Sequence, residues 1–338
     1  MSEFYTYTTT YTPEGNNPPN TQPKKLSFTG EGSKLFGIYI VNMLLTVVTL
    51  GFYYPWAKAA NLRYLYQETA LDNDHFTFHG TGKEMFRGFI KAILLIFGLY
   101  LVVGLISYFA TKTGIVLLSL LSFLVLMGGF MYLIPLAIHG SMKYRLSRSS
   151  WRGIHFGYRG DRATLMKEFF IGTILAMLTL GLYNSWLITT LYRYVIGHIR
   201  FGNVAFSFEG KGADFFVINL KGVILSIITL GIYMFWYMKE RAEFLVHNTK
   251  MQQDDRTIDL HIDAQVADYF ALFIGNFFLV AFTLGLGTPW AIVRTMEFYT
   301  RYITIGEGLD TNSIRQTEAD YRDATGEDLS DMMDLGIV

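Results

Sequence analysis

The 338-residue chain contains no cysteine. Disulfides, thiolate metal sites and cysteine nucleophiles are therefore excluded together. Charge is scarce: Asp, Glu, Lys and Arg make up 17% of the residues, against about 25% in an ordinary globular protein. Basic and acidic residues number 28 each, so no excess of one sign points to nucleic acid, and none is expected as a partner. No serine nucleophile elbow and no His-Glu-x-x-His motif occurs. No catalytic residues are identified, no enzyme activity is expected and no cofactor is implied. The N-terminus is rich in Thr, Tyr, Asn and Pro and lacks an apolar core or a basic start. It does not read as a signal peptide, and residues 1–25 are expected to form a disordered tail.

What the chain does have is apolar and aromatic surface, with 28 Phe and 22 Tyr. Such an excess suits lipid contact and interfacial aromatic belts. Six runs are long enough to cross a bilayer, which takes about 20 apolar residues: Leu35–Ala57, Gly88–Ala110, Gly114–Ile138, Phe169–Leu191, Phe215–Met238 and Tyr269–Val293. Four carry no charge, and Lys91 and Lys221 are the single charges of the other two.

The runs also resemble one another. Thr49-Leu50-Gly51, followed by Trp56, recurs as Thr179-Leu180-Gly181 with Trp186, as Thr229-Leu230-Gly231 with Trp236, and as Thr283-Leu284-Gly285 with Trp290. Ahead of each unit stands a second marker. Phe28-x-Gly30-x-Gly32 matches Phe78-x-Gly80-x-Gly82 and Phe208-x-Gly210-x-Gly212, with weaker copies at Tyr158-x-Gly160 and Ile262-x-Ala264. The spacing gives five units, about 26–77, 78–157, 158–207, 208–261 and 262–306, of which the second is longer by about 30 residues. Each unit reads as a short strand, a glycine turn, an apolar helix, a break at Thr-Leu-Gly and a second, more polar helix.

The expected fold is therefore an α-helical polytopic membrane protein of five tandem helical hairpins, with short cytoplasmic β-strands between them. Six simple crossings would set equivalent strands on opposite sides and would place the seven Lys and Arg of the loop 139–168, or Arg193, Arg200 and Lys211, against the positive-inside rule. Five hairpins put the strands, both termini and most basic residues on the cytoplasmic face. The polar second arms must then be shielded in the bundle, or some hairpins must dip only part-way. The strands Leu26–Thr29, His75–His79, Ile154–Tyr158, Val204–Phe208 and Ile258–Ile262, with Tyr302–Ile305 as a sixth, are expected to pair into a small sheet.

The entry Phe28-x-Gly30-x-Gly32 with Leu35-Phe36-Gly37, the turn Thr49-Leu50-Gly51-x-Tyr53-x-Pro55-Trp56-Ala57-Lys58, the pair Arg63-Tyr64 and the acidic ending Gly326-Glu327-Asp328-Leu329 resemble the YjgN-like family of bacterial inner-membrane proteins. The resemblance implies a bacterial inner-membrane location. It carries no catalytic or ligand residue, because that family is a domain of unknown function.

A basic residue stands seven after the tryptophan position in the first three units, at Arg63, Lys143 and Arg193, and its nearest equivalents in the last two are Arg241 and Arg294. They form a candidate intramembrane polar path, or they pair and snorkel at headgroup level. Trp56, Trp186, Trp236 and Trp290, with Tyr53, Tyr183 and Tyr233, are candidate interfacial anchors at the repeat turn. His75-x-x-x-His79 lies in an apparent strand with no third ligand near it, so no metal site is expected. From Glu307 onward, nine acidic residues face only Arg315 and Arg322. Residues 307–338 read as a solvated acidic tail, at which a cytoplasmic partner or a second copy could dock. Membrane lipids are the expected partners. Two functions remain: a transporter or channel component for a small solute, or a non-catalytic scaffold that organises lipid. Arginines converging on a water-filled cavity would favour the first, and dispersed arginines the second.

Overall fold

The computed structural model describes residues 22–317. Strands and paired helices alternate along it. β1 (Lys24–Phe28) leads into α1 (Gly32–Val48) and α2 (Tyr54–Gln67). β2 (Thr69–Leu71) turns at once into β3 (Asp74–Phe78), which leads into α3 (Gly82–Thr113) and α4 (Val116–Ser147). The order continues through β4 (Ser149–Trp151), β5 (Ile154–Tyr158), α5 (Arg162–Leu178) and α6 (Asn184–Gly197), then β6 (Ile199–Phe201), β7 (Val204–Phe208), α7 (Gly212–Ile228) and α8 (Met234–His247). It finishes with β8 (Thr249–Gln253), β9 (Arg256–Ile262), α9 (Val266–Phe282), α10 (Thr288–Tyr302) and β10 (Ile303–Ile305).

Each strand pairs antiparallel with its neighbours in the chain, and β10 returns to β1, so ten strands close into a barrel. Closure leaves no free sheet edge. Trp151, Val204 and Ile258 fill its interior with no exposure, and the Trp151 indole N–H donates to the carbonyls of Leu71 and Asp74 at 3.2 and 2.9 Å. The segment after β10 completes this core. Leu309 and Ile314 pack among the barrel side chains. Gln253, fully buried, donates to the Asp310 carbonyl and accepts from its N–H, both at 2.9 Å. Lys24 and Asp72 form an ion pair, and Thr311 bonds to both. Residues 307–317, expected in a solvated tail, are thus partly structural. The rest of that tail, and most of the N-terminal one, lie outside the described residues.

The α-helical polytopic class expected from the sequence is overturned by this barrel. Its strands are not short links between hairpins but the closed element from which all the helices spring. Nor do the six apolar runs mark six spans. Leu35–Ala57 counts straight through a turn, taking in most of α1, the break and the start of α2. Among the described residues, only α3 and α4, 32 residues each, are long and apolar enough to cross a bilayer, and their apolar stretches are unburied by protein. α1, α5, α7 and α9 have 17 residues each, about 25 Å at 1.5 Å per residue, short of a hydrocarbon core of about 30 Å. The helices touch in chain order, and α10 closes the circle against α1.

Candidate functional site

The Phe-x-Gly-x-Gly motif is a seat for two aromatic rings. A Cβ on Gly30, Gly80 or Gly210 would strike the ring of Phe28, Phe78 or Phe208, and on Gly160 that of Tyr158, all closer than 3 Å. Where that position carries Ile262 instead of an aromatic, the glycine is replaced by Ala264. The second glycine receives the tryptophan of the preceding helix pair: Trp56 lies on Gly82, Trp186 on Gly212 and Trp290 on Gly32. α4 has no tryptophan at the matching place, and the next pair accordingly starts at Arg162. Val266 stands where the second glycine would for Trp236, which is 44% exposed. Tyr53, Tyr183 and Tyr233 each stack on the tryptophan three residues later, at 5.7, 5.7 and 5.9 Å. Trp56, Trp186 and Trp290 therefore sit in seams between consecutive helix pairs.

Arg63 and Arg193 are held in the same seams, whereas Arg241 and Arg294 pack within their own helix pairs. Arg63 donates to the Gly80 carbonyl at 3.4 Å and Arg193 to that of Gly210 at 2.8 Å, tying one pair to the glycine turn of the next. Arg241 lies over the rings of Phe215 and Tyr237. The Arg294 guanidinium packs over Gly275, and Lys143 stands half-buried on α4. The structure does not bring these five together. The tyrosine after each of the first three closes its own pair. Tyr64 and Tyr194 accept from the N–H, and donate to the carbonyl, of the helix-capping residues Glu31 and Asp161. Tyr144 donates to the Thr81 carbonyl at 3.3 Å and to Glu84. Burial raises the Tyr64 and Tyr194 phenols above the usual 10.0. His79 bonds to Ser150 and rests against the His155 ring.

A separate cationic pocket of about 380 Å³ opens between α2, α3 and α4. Its polar wall is Lys58, Arg87, Lys91, Arg145 and Arg148 around the carboxylate Glu84. Glu84 is already engaged. It completes a capping box with Thr81, accepts from Tyr144 at 3.1 Å and pairs with Arg148 at 3.1 Å. Tyr54, Met85 and Phe89 make the apolar wall. Arg145 also borders a second cavity of about 340 Å³ at the barrel mouth, against Leu26, Phe76 and Phe156. Nothing in the sequence singled out Lys58 or Arg87, because they come from two helix pairs. The available signal was that Lys58 directly follows one long apolar run and Lys91 is the single charge of another.

The family model described as "Bacterial protein of unknown function (DUF898)" matches residues 23–216, 203–257 and 252–332. The chain belongs to this family. Among its curated relatives, Inner membrane protein YjgN of Salmonella typhimurium is 32% identical over 180 residues, which is 53% of this chain and 42% of the relative. Inner membrane protein YjgN of Escherichia coli O157:H7 is 30% identical over 132 residues, 39% of this chain and 30% of the relative. The matched region thus spans less than half the length of either relative. No solved structure matches the chain. The DUF898 protein is accordingly an inner-membrane protein of the YjgN-like family.

Proposed function

We propose that this DUF898 protein is a non-catalytic scaffold that organises lipid around a cytoplasmic barrel, crossing the inner membrane once out and once back through α3 and α4. The observation that carries this is the difference between the helix tips. Leu50, Leu180, Leu230 and Leu284 cap the four short pairs and are 90%, 95%, 94% and 93% exposed. The tip of the long pair is instead polar, at Thr111, Lys112 and Thr113.

The short tips are built to sit in hydrocarbon, where backbone groups must be satisfied internally. In each, the threonine hydroxyl donates to a carbonyl four residues back and accepts an N–H four residues on, as Thr179 does with Leu175 and Tyr183 at 2.7 and 3.0 Å. The glycine N–H reaches back five residues, Gly181 to Ala176 at 2.7 Å. Charge sets the depth. Lys91 and Lys221 each lie nine residues into their helices, and Lys58 lies nine residues before the end of α2. Taking that level as the headgroup plane, the short tips reach about 12 Å beyond it and Lys112 about 32 Å, close to one hydrocarbon core. Basic residues crowd the barrel side of this plane, which supports a cytoplasmic barrel and cytoplasmic ends.

The scaffold is preferred over a transporter because the barrel interior is filled by Trp151, Val204, Ile258 and Leu309, and the five candidate path residues are dispersed over separate helix pairs. Thiol labelling tests the topology, since the native chain has no cysteine. Lys112→Cys should react with an impermeant maleimide from the periplasm, and Leu180→Cys and Leu230→Cys from neither side. Labelling of all three from the periplasm would mean that the short pairs cross. Solute flux through vesicles holding the purified protein would replace the scaffold with a transporter.

A further inference from the structure

We infer that the pocket between α2, α3 and α4 holds the phosphate headgroup of an anionic phospholipid from the cytoplasmic leaflet. The inference rests on the membrane placement proposed above, and three observations carry it.

The first is charge. Five cations line the pocket against one carboxylate. That carboxylate is occupied by Arg148, Tyr144 and the Thr81 N–H. Among the described residues, no Asp or Glu forms an ion pair with Lys58, Arg87 or Arg145, whereas Lys221 on another pair is matched by Glu240 at 2.6 Å. Three cations without a carboxylate partner in one pocket attract an anion, and guanidinium groups suit phosphate oxygens in particular.

The second is height. Lys58 and Lys91 stand at the level where the apolar stretches begin, and Arg87 lies about one turn nearer the barrel. Arg145 and Arg148 lie near the end of α4, closer still. The cations thus descend from the headgroup plane toward the barrel, and the exposed apolar flank of α3, from Ala92 through Ile93 and Leu94, rises above them. Acyl chains would run along that flank.

The third is construction. The long α3–α4 pair stands beside the short α2, which ends at the Tyr54 tip while its neighbours continue. The pocket lies under this step, with Tyr54, Pro55 and Phe89 forming its apolar wall. A polar floor under an apolar step fits an amphiphile. A free anion would need only the floor.

The test uses the full chain in lipid nanodiscs of zwitterionic phosphatidylcholine doped with phosphatidylglycerol, followed by native mass spectrometry of lipids retained on release. Wild type should keep phosphatidylglycerol over phosphatidylcholine. Lys58→Gln and Arg87→Gln should each lower that preference about fivefold, whereas Lys211→Gln, outside the pocket, should not. Inorganic phosphate at millimolar concentration should not displace the lipid. Equal retention of both lipids by wild type, or equal loss in the Lys211→Gln variant, would overturn the inference. So would displacement by phosphate, which would make the pocket a free-anion site. These results would leave the cysteine-labelling pattern intact, so failure of the lipid site is distinguishable from failure of the membrane placement.

Discussion

At the residue scale, glycine and aromatic side chains in this chain are matched as seats and occupants. The close approach of Trp56 to Gly82 leaves no room for a methyl group, with the tryptophan ring 2.3 Å from a built Cβ. Gly82→Ala should therefore destabilise by about 1–3 kcal/mol, the usual range for overpacking. Gly37→Ala, in α1 with open space around the position, should instead stabilise by up to about 1 kcal/mol. Thermal unfolding in detergent compares the two, and equal effects would remove the seat argument. Asp72 supplies a pH dependence. Burial works against its ionisation, but the Lys24 ammonium and Thr311 hydroxyl outweigh it and hold the carboxyl below the usual 3.8. A carboxylate lowered on folding stabilises above its unfolded pKa, and that contribution is lost as pH falls through the folded value. Asp72→Asn should cost about 1 kcal/mol near neutrality, and the melting curves of variant and wild type should converge in acid well below pH 3.8. A gap that persists there would assign the effect to packing.

At the element scale, the Thr-Leu-Gly turn places a leucine in the left-handed region, with φ of 50°, 52°, 51° and 50° at Leu50, Leu180, Leu230 and Leu284. A non-glycine residue there costs about 1–2 kcal/mol, and a lipid-facing side chain can offset it. On the proposed membrane placement, Leu180→Asp should then cost about 2–3 kcal/mol through the charge it puts into hydrocarbon, whereas Lys112→Asp, on the tip placed beyond the bilayer, should cost little. The folded fraction recovered from membranes measures both, and a similar loss for the two variants would count against half-depth tips. This turn was legible in the sequence as a break in the helix, since Gly51 and its counterparts follow long apolar helices. The return strands β2, β4 and β6 were not. They have three residues each, too few for alternation to register, and they abut helix ends. Their signal lay in the hairpin turns, where Asp72-Asn73 and Arg152-Gly153 adopt positive φ, the preference of two-residue turns between antiparallel strands. Lys58, Arg87 and Arg145 were invisible as a set because only the packing of α2 against the long pair joins them.

At the scale of the whole molecule, closure has to be made twice, once by strands and once by helices. β10 pairs with β1 through Lys24 opposite Ile305 and Lys25 opposite Thr304, and Trp290 docks on Gly32. Both contacts join the two ends of the described chain, so neither can form before α10 has been made. The segment beyond β10 then packs into the barrel through Leu309 and Ile314, with Gln253 and Asp310 exchanging two hydrogen bonds. Its polar composition hides this role, because Leu309 and Ile314 are the two large apolar side chains among residues 307–317. Truncation after Gly306 should therefore strip part of the barrel core. Each large apolar side chain lost from a packed site costs about 2–5 kcal/mol, and exposed Gln253 would shed its partners as well. The expected outcome is a barrel that is cut readily by protease at β8 and β9, while α3 and α4 stay in the membrane, because their apolar length does not depend on the barrel. Limited proteolysis of membrane vesicles, read by fragment mass, checks both halves at once. A truncated protein as resistant as the full chain would show that residues 307–317 rest on a barrel already complete without them.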